Sequence, residues 1–286
     1  MADALKRVPG SAPGEFFVDR NCIACETCAQ LASEVFEEAG AFFRVHRQPA
    51  TPLEIRNATR ALVACPVGAI GTIHRNCARA VIEDFPLPIE GPVYYCGFNS
   101  RKSFGANSYF IVDPNGNWLV DSPRFTPHLL RRLEAMGGIR YNFLTHQDDV
   151  ADADRFARHF GTTRIIHRDD LLAQPNAEIV LDGDAVEIAP GFRIIPTPGH
   201  TRGHCVMVYH ERFLFSGDHL WWEPEAHRLG ASRSACWHSW RAQTASMRRL
   251  LGEKFEWVLP GHGDRCHLAA PLMLKELASL VERMCN

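Results

Sequence analysis

The sequence predicts an α/β protein of two domains, a small cysteine-bearing α+β unit followed by a larger one. Three observations carry this. At 286 residues the chain exceeds one average domain, and 46% hydrophobic content is ordinary for a globular protein with a substantial core. Cys22, Cys25, Cys28 and Cys65 all fall in the first quarter of the chain. From Val93 onward, short apolar runs ending in polar or glycine-rich loops alternate with helical patterns.

FFVDRN reads as a strand entering the cysteine loop and AFFRVHR as a second, both by their apolar and aromatic enrichment. Between them, Leu31 to Phe36 suits about two turns of helix. Thr51, Pro52 and Glu54 make a helix start, with Thr51 as cap, Pro52 at the first helical position and Glu54 where a capping box needs it. That helix should run to about Ala64, where Pro66 blocks its continuation, and AIGTI follows as a strand, ending a compact unit near His74. Residues 1–80 are assigned to the first domain, 81–92 to a linker punctuated by Pro86, Pro88 and Pro92, and 93–286 to the second domain. There VYYCGF, SYFIVD and NWLVD read as strands with a turn at Asn115-Gly116, and a helix opens at Thr126-Pro127 and closes at Gly137-Gly138. YNFLTH, TRIIH, FRIIPTP, CVMVYH, RFLFSGD and WVLPG follow as strands, with helices near Asp152 to Phe160, Trp240 to Leu251 and Ala270 to Met284.

Three thiolates from one CxxCxxC loop and a fourth from a cysteine before proline can wrap a 4Fe-4S cube. Ala32 stands where a further local cysteine of a two-cluster ferredoxin would sit, so a single cluster held by Cys22, Cys25, Cys28 and Cys65 is expected. The competing readings are zinc, which more often takes pairs of CxxC, or reduced thiols buried in a core. The other cysteines, such as Cys77, Cys205 and Cys285, are scattered, and a cluster needs thiolates, so a reducing compartment fits. No apolar stretch near the N-terminus is long enough for a secretion signal, and no run approaches the roughly 20 apolar residues of a membrane span. The expectation is a cytoplasmic protein. With 31 basic and 33 acidic residues there is no polybasic field for nucleic acid or an anionic membrane, which leaves a small-molecule substrate or a redox partner protein.

A second constellation lies at strand ends: His146 after YNFLT, His200 after PTPG, Asp218 after LFSG and His262 in PGHG. One such histidine is more often an ordinary turn residue, but four at one rim can share a metal. Glycine before His200, Asp218 and His262 would let the backbone turn sharply enough to aim each side chain.

On these residues, THQDDVAD, TPGHTRGH, SGDHLWW and PGHG resemble successive motifs of the metallo-β-lactamase superfamily, over about Val93 to Asn286. The N-terminal part resembles a single-cluster ferredoxin domain. The resemblance implies an αββα sandwich with a one- or two-metal site at one edge, preceded by a small α+β ferredoxin-like domain. The family's usual first motif is HxHxDH, and here Asp148 replaces the second histidine. If the last Asp-His pair maps to Asp152-Ala153, the aspartate survives; without an insertion, Val150 and Ala151 remove both. One metal position thus keeps His146, Asp148, His200 and the bridging Asp218, and the other His262, Asp218 and, in the first register, Asp152. Asp148 makes the donor set harder and shifts preference from zinc towards iron or manganese. Flavodiiron proteins of the same superfamily also carry a carboxylate there, although no flavin-binding domain follows His262. The alternative is that Asp148 and Asp149 merely cap a helix start.

Three functions compete. A hydrolase would use metal-bound hydroxide on a small ester, thioester or phosphoester, with Asp149 or Asp152 orienting the water or protonating the leaving group. An iron-dependent oxidoreductase would draw electrons from the cluster. An inactive, cluster-bearing interaction protein would need neither. His204 reads as a supporting residue, because CVMVY starts a strand directly after it. In WWEPEAHRLGASRSACWHSW, Trp221, Trp222, Trp237, Arg228 and Arg233 read either as a substrate lid or as packing against the outer helix or the ferredoxin unit. Cys96 and Cys236 read as buried thiols.

Overall fold

The computed structural model describes residues 2–73 and 77–285, so His74, near which the first compact unit was expected to end, lies outside the described residues. By internal contacts the chain forms two compact units, Met1–Arg140 with Ala151–Phe160, and Tyr141–Val150 with Gly161–Asn286.

In the first unit, strand Phe16–Val18 pairs antiparallel with Ile70–Thr72, and Phe36–Ala39 with Phe42–Val45. The helix expected over Leu31 to Phe36 lies earlier, at Thr27–Ala32, and Phe36 already begins a strand. Two causes act together: Glu26 takes a left-handed backbone (φ 64°) that turns the chain into the helix straight from the cysteine loop, and Val35 and Phe36 bury their side chains in the core. The helix Pro52–Ala64 starts with the capping box: the Glu54 amide donates to Thr51 Oγ1 and the Thr51 amide donates to the Glu54 carboxylate, both at 3.2 Å. It ends at Cys65, whose extended backbone precedes Pro66. Val8, Phe16, Val18, Val35, Phe36, Phe43, Val45, Ala58, Ala61 and Ile70 form the core of this region.

The same unit continues with strands Leu87–Glu90, Val93–Tyr95, Tyr109–Ile111 and Trp118–Val120, each antiparallel to the next. Leu87–Glu90 falls within the proline-rich stretch read as a linker. It is an edge strand with a register shift after Pro88, a position where the missing proline N–H costs no ladder bond. Helices Pro127–Ala135 and Ala153–Phe160 complete the unit.

In the second unit, Tyr141–Phe143, Thr163–His167 and Ile179–Leu181 run parallel. A six-stranded sheet follows, in the order Val186–Ala189, Phe192–Pro196, Cys205–Tyr209, Phe213–Gly217, Trp257–Pro260, Cys266–His267. Its pairs are antiparallel except Phe213–Gly217 with Trp257–Pro260, whose parallel crossover contains the helix Trp240–Leu250. Both Cys205–Tyr209 and Phe213–Gly217 are buried along their whole length, which explains their near-continuous apolar sequences. Val206, Leu214, Val258, Met247, Leu250, Leu277 and Leu280 join this sheet to Trp240–Leu250 and Ala270–Cys285. No helix among the described residues is long and apolar enough to cross a membrane.

Candidate metal centre

Four side chains of the second unit converge. His146 stands after Tyr141–Phe143 in extended backbone (φ −165°), Asp148 lies in the single turn Gln147–Asp149, His200 in the loop before Cys205–Tyr209, and Asp218 directly after Phe213–Gly217. His146 Nε2 and His200 Nε2 each lie 3.6 Å from Asp218 Oδ2, and 3.9 and 3.4 Å from Asp148 Oδ2. Donors bound tetrahedrally at about 2.1 Å stand about 3.4 Å apart, so each histidine Nε2 is nearly at ligand spacing from both carboxylates, and the donors lying within 4.8 Å of one another fall into two groups, His146 with Asp148 and His200, and His146 with Asp149 and Asp218. Asp149 also lies close, its carboxylate within 4.8 Å of donor atoms of His146 and Asp218. His262 Nε2 is 3.8 Å from Asp218 Oδ2, at the partly exposed margin.

The glycines work partly as expected. Gly217 is left-handed (φ 50°) and turns Asp218 inward. Gly199 and Gly261 need room rather than an unusual turn: a Cβ on Gly261 would stand 2.5 Å from Asp218 Oδ1 and 2.8 Å from Asp149 Oδ2, and one on Gly199 would meet the Gln243 backbone. The Gly261 amide donates to the Gly217 carbonyl at 2.9 Å, joining the turns that carry Asp218 and His262.

Both ligand histidines turn Nε2 to the centre because Nδ1 is occupied. His200 Nδ1 donates to the Ala235 carbonyl at 2.5 Å, and His146 Nδ1 lies 2.9 Å from the Thr145 hydroxyl. The buried Nε2 atoms of both, and Asp218 Oδ1, make no hydrogen bond. Such atoms are costly unless something absent from the polypeptide satisfies them, and a divalent cation does so for two imidazoles and two carboxylates at once. Burial holds His146 below the usual imidazole range. Burial also opposes protonation of His200, but the neighbouring Asp148, Asp218 and Ala235 carbonyl outweigh it and raise its pKa. The adjacent His200 imidazole lowers that of Asp148, and Asp218 is lowered by the surrounding histidines against the cost of its burial.

In the first unit Cys22, Cys25, Cys28 and Cys65 line one cavity with Val18, Phe43, Pro66 and Ile70. Ala24 and Glu26 are both left-handed, which folds the loop tightly around Cys25. Backbone amides point at sulfur: Phe43 and Ala24 at Cys22 Sγ (3.4 and 3.5 Å), and Ala69 at Cys65 Sγ (3.3 Å). Burial and the neighbouring sulfurs push the thiol of Cys25 up to about 11 and that of Cys28 well above its ordinary value. Four thiolates therefore need a compensating cationic core. Zinc at about 2.3 Å would bring the sulfurs about 3.8 Å apart, whereas the groups of three or more donors within 4.8 Å of one another include no cysteine among the described residues.

The profile of the family described as "Metallo-beta-lactamase superfamily" matches residues 89–281, more than half of the chain. The chain belongs to that superfamily. A second profile, "4Fe-4S single cluster domain of Ferredoxin I", matches residues 18–72. Among curated proteins, a lactamase-like protein of Pestalotiopsis microspora is 28% identical over 63% of this chain and 56% of its own length. The thioesterase pkgB of Emericella nidulans is 28% identical over 60% of this chain and 50% of its own. The chain thus spans about half the length of these relatives. Among solved structures, DIM-1 metallo-beta-lactamase matches with a TM-score of 0.53 at 18% identity, over 68% of this chain and 95% of that one. The fold is the superfamily's αββα sandwich preceded by a small α+β ferredoxin-like domain, as the sequence predicted.

Within the metallo-beta-lactamase fold, two groups that carry the ligands went unassigned in the sequence. Asp170 is buried and accepts hydrogen bonds from Thr201 Oγ1 (2.5 Å), the Gly203 amide (3.0 Å) and the Gln147 amide (3.1 Å), so it fastens the loops of His200 and Asp148 together. His219 Nδ1 lies 2.8 Å from His204 Nδ1, and the His200 amide donates weakly to His219 Nε2 at 3.4 Å. His204 Nε2 accepts from the Asp218 amide at 3.3 Å, the supporting place expected of it. Asp170 gave no signal, because HRDD reads locally as a helix cap; His219 sat unweighed inside SGDHLWW.

Asp152 does not enter the ligand groups among the described residues. Its carboxylate accepts from Lys102 Nζ at 2.7 Å and the Phe125 amide at 2.9 Å within the first unit. Of the lid candidates, Trp221–Glu223 pairs with Arg228–Gly230 in a hairpin, Trp222 packs on the second unit's core, and Arg228 pairs with Glu223. Trp237 differs. It is 69% exposed, edge-on to His200 at 6.1 Å, and its amide donates to the His200 carbonyl at 3.0 Å. Cys96 is fully buried and Cys236 half-buried, its thiol donating to the Gly199 carbonyl.

Proposed function

We propose that this protein is a metal-dependent hydrolase of activated acyl bonds, with thioesters as the substrate class. The observation that carries it is that His146 Nε2 and His200 Nε2, buried and without hydrogen bonds, each lie within 3.9 Å of both the Asp148 and the Asp218 carboxylate. The likeness to the thioesterase pkgB supports thioesters among the acyl compounds. A divalent metal held there supplies Lewis acidity towards a carbonyl and acidifies a water. His146 and His200 fix its place through their tethered Nδ1 atoms, and Asp148 with Asp218 balances its charge. Asp149, buried beside His146 and Asp218, takes up the proton released on attack, or joins His262 and Asp218 in holding a second ion. The carboxylate at Asp148 also supports a second reading, a site for iron that exchanges electrons with the cluster.

Anaerobic purification, elemental analysis and a thiol-release assay on simple acyl thioesters separate these readings. Hydrolysis that follows metal content and ignores the cluster's oxidation state is the expected result, with Asp149→Asn about 10²-fold to 10⁴-fold slower. Turnover that requires an electron donor overturns the hydrolase in favour of the oxidoreductase. A histidine and aspartate centre that takes up no metal leaves a cluster-bearing interaction protein.

A further inference from the structure

We infer that the wall of the iron-sulfur site is completed by residues 98–124, outside the matched ferredoxin span, and that Arg124 within this segment raises the cluster's reduction potential. The inference goes beyond the hydrolase reading and does not depend on it.

The segment lies against two of the cysteines that line the thiol cavity, Cys25 and Cys65. Gly105 lies against Cys25: its backbone is left-handed (φ +91°), and a Cβ there would stand 2.8 Å from Cys25 Cβ, 2.9 Å from its sulfur and 3.1 Å from Pro66. Asn99 locks this contact, its side-chain amide donating to the Gly105 carbonyl at 2.7 Å and its backbone amide to the Ala64 carbonyl at 3.1 Å. Thr27 Oγ1 donates to the same Gly105 carbonyl at 3.3 Å and lies 3.4 Å from Cys25 Sγ. At the second place Arg124 donates from one terminal nitrogen to the Val63 and Cys65 carbonyls, at 3.1 and 3.3 Å, while its buried Nε makes no hydrogen bond.

A guanidinium stays protonated even where burial lowers its pKa, as it does here against the opposing pull of Cys65 and Asp152. A four-thiolate cube gains one negative charge on reduction, and its potential follows the net charge and hydrogen bonding around it. A fixed positive charge at the carbonyl of a cluster ligand therefore favours the reduced state. Asp152 tempers this. It accepts from the amide of Phe125, next to Arg124, and pairs with Lys102, so the carboxylate offsets part of the positive charge.

The test is the midpoint potential of the reconstituted full-length protein, measured by spectroelectrochemical titration with paramagnetic detection of the reduced cube. Arg124→Gln at wild-type iron content is expected to shift the midpoint to a more negative value, and Arg124→Lys to recover most of it. A role confined to capping the helix that ends at Ala64 would leave the potential unmoved. An unmoved or more positive midpoint in Arg124→Gln, or equal shifts in both variants, overturns the inference. If Arg124→Gln assembles no cluster, Asp152→Asn decides: a more positive midpoint supports the proposal, and an unmoved or more negative one sinks it. A wild-type protein that takes up iron and sulfide without forming a cube also overturns it.

Discussion

The thiol cavity takes three of its four sulfurs from a single loop, Cys22 to Cys28, whereas the imidazole and carboxylate centre gathers donors from separate loops between His146 and Asp218. The first is held by local backbone geometry, two left-handed residues and amides aimed at sulfur. The second is held by a lattice of side chains, with Asp170 tying two loops and His204 receiving the Asp218 amide. A locally built site tolerates change elsewhere in the fold; a dispersed one depends on each strand end that feeds it.

The largest effect should come from Asp218→Ala. Its Oδ2 is the common neighbour of His146, His200 and His262, so the variant should lose metal from the second centre and at least about a hundredfold in activity. The visible absorption of the cluster should be unchanged. Elemental analysis beside the absorption spectrum checks this, and joint loss of both would break the contrast.

Acid should separate the two regions next. With its pKa raised, His200 binds a proton at higher pH than an ordinary imidazole and must release it to a metal, while His146 is held neutral by burial. Metal affinity at the second centre should therefore fall as pH drops from about 8 to about 5, by about tenfold per unit once His200 is protonated, with a slope of about one proton. Metal titration across that range reads the slope, and a value near two would show that His146 competes as well.

The smallest effect sharpens the comparison from the ferredoxin side. Thr51→Ala removes a helix cap remote in sequence from the CxxCxxC loop and should cost about 1 kcal/mol, seen in denaturant or thermal unfolding, with metal content unchanged in both centres. Loss of the cluster would mean that Pro52–Ala64 is needed to present Cys65.

Much of this was legible along the chain. The capping box at Thr51 and Glu54, the turn at Asn115-Gly116 and the alternating strands and helices announce themselves, because each is decided by a few neighbouring residues. The helix placed at Leu31 to Phe36 was displaced because the left-handed Glu26 and the buried Val35 and Phe36 override local preference. The strand Leu87–Glu90 was hidden by its prolines, which an edge position accommodates.

Ligand identities likewise follow from residue type and motif, since sulfur, imidazole and carboxylate chemistry is a property of single side chains. The sequence by itself therefore determined the superfamily and the cysteine loop, and it singled out His146, Asp148, His200 and Asp218 as candidate donors. Tertiary structure alone decided that Asp149 rather than Asp152 lies beside His146 and Asp218, that Asp170 braces the loops of His200 and Asp148, and that Arg124 and Gly105 lie against Cys65 and Cys25. Those assignments depend on distances between residues far apart in the chain, and only the packing of strands, helices and loops sets such distances.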